Sequence, residues 1–142
     1  MLVRCVYASR AASPEDLSAL DSILRQSRSN NGPRGITGML CFAEGVFVQA
    51  IEGGRSEVSR LIGAILRDPR HHDMEIVSFE EISERQFGGW TMGQINAADV
   101  NGALILKYSQ TAKFDPFSCG AAATMAILRE IAASGNVVCR TK

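Results

Sequence analysis

Between residues 36 and 52 the chain reads ITGMLCFAEGVFVQAIE, two apolar runs of strand length hinged at Glu44-Gly45. Two such runs joined by a tight two-residue turn read as a β-hairpin, with strands over 36–43 and 46–52. The hairpin commits the chain to a sheet, and the flanking segments decide the form of that sheet. Residues 2–9 are apolar on both alternating faces, as a strand with neighbours on either side would be. A helix follows, with Ser13 as N-cap, Pro14 at the first helical position and Glu15 and Asp16 in the first turn. Its buried stripe is Leu17, Leu20, Ile23 and Leu24; Arg25 and Arg28 suit its C-terminal end, and Asn30-Asn31-Gly32-Pro33 stops it.

After the hairpin, a second helix is predicted over 55–67, with Val58, Leu61, Ile62, Ile65 and Leu66 inward and Asp68-Pro69 ending it. Residues 74–82 and 90–95 then read as two more strands. The order βαββαββ predicts an α+β, ferredoxin-like sandwich: two helices on one face of a mixed five-stranded sheet. Right-handed crossovers place the first strand beside the third. Residues 97–142 begin as a polar connection, with a short helix over 101–109 and an Ala-rich helix over 117–134. The small side chains Ala121, Ala122, Ala123 and Ala126 suit a close approach to the sheet's other face. The chain thus divides into 1–96 and a C-terminal helical extension, 97–142, that packs on the sheet.

Lys plus Arg and Asp plus Glu number 15 each, so no charge excess points to a direct nucleic-acid partner or a membrane surface. No apolar run approaches the roughly 18 residues of a membrane span. The N-terminus runs straight into a strand without a signal-peptide pattern. Cys5, Cys41, Cys119 and Cys139 are far apart and form no CxxC pair, which suits reduced thiols in a cytoplasmic protein better than a metal site.

No GxGxxG, Walker loop or HExxH occurs. Ser9 with His71 or His72 and an aspartate could be drawn as a triad, but no nucleophile elbow supports it. His71-His72 on a surface loop lack the spaced partners of a metal site. Gln49 stands out instead. It is the single polar residue on a face shared with Phe47 and Ile51, and an unpaired amide there would cost about 1–3 kcal/mol. If the first and third strands are neighbours, Tyr7 faces the same layer. Two readings then fit: a hydrogen bond that satisfies two core polar groups, or a flat apolar slot with convergent polar groups for a bound cofactor. Asn31 is either a further amide aimed at that slot or a plain helix cap.

The set VYAS at 6–9, SNNGPRGITGML at 29–40, FVQAIEG at 47–53, DPRH at 68–71 and WTMG at 90–93 strongly resembles the BLUF family of flavin-using blue-light receptors. Order and spacing of all five motifs agree over roughly residues 1–96, and the C-terminal region is similar to that of the short stand-alone members. The resemblance implies a flavin held between the two helices, sandwiched by Ile23 and Ile65. It implies Tyr7 and Gln49 as the photoactive pair, and Asn31 as the side chain on the pyrimidine edge. Asp68, Arg70 and His71 fall in the motif near the flavin carbonyl and ribityl-phosphate side, and Trp90 and Met92 match two fifth-strand residues that compete for the space beside the glutamine. Asn30 stands where another member has histidine, and Ala64 where some relatives carry an arginine to the flavin. The implied cofactor is FAD bound non-covalently, with FMN acceptable to a slot that grips mainly the ring.

The implied function is light sensing without enzymatic activity: flavin excitation draws an electron and a proton from Tyr7, and Gln49 rearranges its hydrogen bonds. Because the chain stops near residue 142, output is expected through a separate signalling protein or a homodimer, with no membrane involved. A small flavin reductase and an acylphosphatase-like hydrolase are the competing classes. The first needs a nicotinamide site, and the second a phosphate-cradling loop where the chain has acidic SRAASPED.

Overall fold

A computed structural model describes residues 1–13, 17–96, 101–133 and 137–138. The helix-start residues Pro14, Glu15 and Asp16, the side chain of Leu17, the connection 97–100 and Cys139 lie outside the described residues. The elements run β1 (Leu2–Ala11), α1 (Leu17–Asn31), a 3₁₀ turn (Gly32–Arg34), β2 (Thr37–Ala43), β3 (Val46–Gly54), α2 (Arg55–Leu66) and β4 (His71–Ile82). They continue as β5 (Gly93–Asn96), α3 (Gly102–Tyr108), α4 (Ala121–Ala133) and a two-residue β6 (Val137–Val138).

The strand order is β4-β1-β3-β2-β5-β6. β1 lies beside β3, antiparallel, and β2 pairs with β3 across the expected hairpin. Glu44 and Gly45 both take positive φ, 51° and 79°, the left-handed pair that matches the twist of a two-residue hairpin. β5 runs parallel to β2, which makes the sheet mixed, and β6 adds a short antiparallel edge beyond β5 that the sequence did not signal. β1 and β3 are central strands and buried on both faces. Their odd-numbered residues meet α1 and α2, where Val3, Cys5, Tyr7 and Ile51 pack with Val58 and Ile62. Their even-numbered residues Val6, Val48 and Ala50 join Met39 and Cys41 under Ile105 of α3 and Ile127, Leu128 and Ile131 of α4.

Four expectations need correction. β5 begins at Gly93 rather than residue 90, because the carbonyl of Trp90 is taken by the N–H of Gly38 as the chain crosses from one face of the sheet to the other. α4 turns Thr124, Met125, Ile127, Leu128 and Ile131 toward the core, not its alanines; Ala121 and Ala122 are exposed. That stripe at i, i+3, i+4 and i+7 buries far more apolar surface than methyl groups could. Leu66, the last residue of α2, is 60% exposed where the chain turns toward β4. His71 and His72 belong to β4 rather than to a loop. Among the described residues no helix is long and apolar enough to cross a membrane.

Candidate functional site

α1 and α2 lie on the same face of the sheet and leave a cleft of about 270 Å³ between them, floored by Tyr7, Leu40, Phe47 and Gln49. This is just under the range of ordinary ligand clefts, the scale of a ring system. Ile23 of α1 and Ile65 of α2 form its walls, and Asn30, Asn31, Asp68, Arg70 and His71 also line it. All nine cofactor-binding candidates named from the sequence thus converge on one cleft. The other seven lining residues are Gln26, Ser27, Arg34, Leu40, Phe47, Leu61 and Ala64, and of these Gln26, Ser27, Arg34, Leu40 and Leu61 escaped that reading. Gln26, Ser27 and Asn30 lie at i+3, i+4 and i+7 from Ile23, so the stripe itself was the available signal.

At the floor, Tyr7 and Gln49 stand directly opposite in the β1–β3 register. The tyrosine hydroxyl donates to Gln49 Oε1 at 2.5 Å, and both residues are buried. Burial pushes the pKa of the phenol well above its ordinary value, with Cys5 and Asp68 adding to the rise and Arg70 opposing it. The hydroxyl therefore stays protonated at any physiological pH. The amide nitrogen of Gln49 turns to Met92 Sδ at 3.3 Å, a weak acceptor. Met92 is fully buried beside Leu20, Leu24 and Phe47, on the cleft side. Trp90 lies on the other face, stacked on Phe87 with centroids 5.9 Å apart, and packs on the core beneath α3 and α4. Of the two residues expected to compete for the space beside the glutamine, Met92 occupies it here and Trp90 stands away. Spacing of two puts side chains on one face only in an extended strand, and residues 90–92 precede the strand.

Asn31 closes the inner end of the cleft. Its side chain caps nothing, and its backbone is ordinary right-handed helix at φ −76°, so the helix-cap reading fails. Its Nδ2 is buried with no hydrogen-bond partner. A buried amide donor without an acceptor is costly, and one lining a cleft suits a ligand carbonyl.

The outer end is built differently. Arg70 bonds Asp68 and reaches across to Ser22 Oγ at 3.0 Å and Gln26 Oε1 at 2.7 Å, tying α1 to the α2–β4 turn. The Arg70 guanidinium holds the Asp68 carboxyl below its ordinary range. His71 is engaged on both ring nitrogens, Nδ1 with Ser9 Oγ at 2.8 Å and Nε2 with the Ile65 carbonyl at 2.6 Å. An Nε2–H tautomer satisfies both, with the serine hydroxyl donating to Nδ1. Ser9 and His71 therefore meet, but Ser9 is fully buried and a carbonyl stands where a triad needs a carboxylate. His71 serves as a wall, its ring edge-on to Phe47.

The family model described as "BLUF: Sensors of blue-light using FAD" matches residues 2–93. Among solved structures, that described as "BlsA photo-activated state" superposes with a TM-score of 0.82 at 30% identity, covering 92% of this chain and 94% of the other. "BlrB - a BLUF protein, dark state structure" superposes with a TM-score of 0.79 at 31% identity, covering 94% and 96%. The photoactivated adenylate cyclase subunit beta of Euglena gracilis is 35% identical over 92 residues, 64% of this chain and 11% of the relative. The chain thus spans about a tenth of that curated relative.

Proposed function

Because the chain belongs to the BLUF family of blue-light sensors using FAD, we propose that it senses blue light through Tyr7 and Gln49 in the α1–α2 cleft and works without an enzymatic step. Its cofactor is FAD, bound non-covalently. The residues fit that group: Ile23 and Ile65 would flank the ring, and the unpaired Nδ2 of Asn31 would meet a ring carbonyl. Gln49 would bridge ring and tyrosine, while Asn30, Asp68 and Arg70 stand at the mouth where the ribityl and phosphate portion would leave. A cleft sized to the ring would accept FMN as well.

When bound, the flavin supplies a strong oxidant on absorbing blue light. Tyr7 is the donor. Its buried hydroxyl does not ionise by itself, but removal of an electron makes it strongly acidic, and Gln49 Oε1 at 2.5 Å takes the proton. Return of the electron and proton restores Tyr7 and leaves no net chemistry. What persists is the amide, whose two ends have opposite hydrogen-bond character, so rotation or tautomerisation changes what Tyr7, Met92 and the ring each encounter.

The observation that carries this reading is the Tyr7–Gln49 hydrogen bond on the floor of a cleft that also holds an unpaired amide donor. The cyclase activity of the Euglena relative is not carried over, since this chain spans so little of it. Output is assigned to a separate cytoplasmic protein or to self-association, reached through α3 and α4. In the test, protein purified with FAD is illuminated in the blue. A flavin band that shifts to the red and returns in the dark is expected; an unshifted band overturns the reading.

A further inference from the structure

We propose that Glu52 is a positioning residue of the photoresponse: its carboxylate clamps residues 86–92 onto β3 and so fixes Met92 against Gln49. The proposal rests on the light-sensing reading above. Glu52 is fully buried in a strand otherwise made of apolar side chains and Gln49. A buried carboxylate is tolerated only where donors surround it. Here Oε2 accepts from Arg4 Nη1 at 3.0 Å and from the Gln86 N–H at 2.9 Å, and Oε1 accepts from the Phe87 N–H at 2.7 Å. Two of the three donors are therefore backbone groups of the connection between β4 and β5. Arg85 fastens the same connection through Thr37 Oγ1 at 2.9 Å and the Glu52 carbonyl at 3.3 Å.

From that clamp the chain leads directly to the glutamine. Phe87 is buried, its carbonyl accepts the Trp90 N–H at 3.2 Å, and its ring stacks on Trp90. The Trp90 carbonyl is held by the Gly38 N–H at 3.1 Å, and two residues on Met92 Sδ meets Gln49. Gln49 and Glu52 are three apart on β3 and so point to opposite faces. Residues 86–92 are thus fastened to one strand twice, at Glu52 on the face covered by α3 and α4 and at Gln49 on the cleft face. Gln49 is the end that changes in light, and Glu52 is the end that does not. A fixed end keeps Met92 in contact with the amide and makes a change there strain the Phe87–Trp90 turn rather than dissipate in a loose loop.

Glu52→Gln keeps the size but offers one acceptor where two N–H groups point. In the full chain loaded with FAD, dark-state hydrogen exchange over 85–92 should rise about ten-fold or more. Dark recovery of the red-shifted form should change about five-fold or more, with flavin content and the dark absorption band retained. Arg4→Met/Glu52→Met removes the acceptors without leaving a buried charge, but it still frees the N–H groups of Gln86 and Phe87. It should therefore melt below wild type, retain FAD, and show the altered recovery that marks positioning. Exchange and recovery within about two-fold of wild type in a folded, FAD-loaded variant would overturn the clamp. Should wild type show no red shift, the light-sensing reading fails instead. Exchange over 85–92 in the dark protein then still decides whether Glu52 holds the segment.

Discussion

Tyr7 and Gln49 satisfy each other, so neither can be removed alone without leaving a buried polar atom unpaired. Tyr7→Phe strands the amide oxygen and Gln49→Leu strands the hydroxyl, each costing about 1–3 kcal/mol of apoprotein stability. The double variant should recover most of that loss, a coupling readable by denaturant melts of the four proteins in a cycle. All three variants should bind FAD, and none should show the wild-type red shift; a normal shift in Tyr7→Phe would remove the tyrosine from the photochemistry. For Asn31 the expectation is asymmetric, because its Nδ2 has no protein partner to lose. Asn31→Ala should weaken FAD binding by about 0.5–1.5 kcal/mol, measured by titration, with apoprotein stability little changed. Equal losses would mean that the amide serves the fold. Gln49 was legible because period-two alternation exposes a polar side chain among apolar ones, and Tyr7 as its neighbour across the ladder, whereas the role of Asn31 came only from the family resemblance. Glu52 carried a comparable signal, a charge in a strand buried on both faces opposite Arg4. Its meaning lay in the N–H groups of Gln86 and Phe87, more than 30 residues away, which no local pattern reports.

At the scale of elements, β2 and β3 are drawn together at Gly38. A Cβ there would stand 2.0 Å from the carbonyl oxygen of Ala50. Gly38→Ala must therefore pry the central pair apart and also disturb the N–H that holds the Trp90 carbonyl. The expected cost is about 3 kcal/mol or more, seen as a lowered melting temperature; a shift of only a degree or two would show that the pair yields easily. Helices and hairpin followed from periodicity and turn chemistry, since those elements obey local rules, and the adjacency of β1 and β3 followed from the handedness of crossovers. The approach to β5 did not, because WTMG alternates like a strand while the chain there is crossing between faces. α4 was placed but its orientation misjudged: small residues permit close packing, yet the larger apolar stripe decides which side goes in.

Considered as a whole, the molecule is one sheet with a cleft on one face and a helical cover on the other, joined by residues 86–92. Met92→Leu removes the sulfur acceptor while keeping the volume. It should preserve the red shift and abolish the light-dependent difference in hydrogen exchange over α4. Retention of that difference in full would place the route elsewhere. The second face also decides what can be cut away. Val6, Met39, Cys41, Val48, Ala50 and Phe87 are all buried under α3 and α4. A fragment ending at Asn96 bares them together, and such a patch drives association in water. Light scattering should find that fragment oligomeric or precipitating, whereas a monomer with full FAD affinity would show the cover to be dispensable. The family match stops at residue 93, and the cover begins at Gly102. The stretch that the family model matches thus stops short of the cover this fold lays over six core side chains, and any graft of that stretch onto a new output must bring its own roof for them.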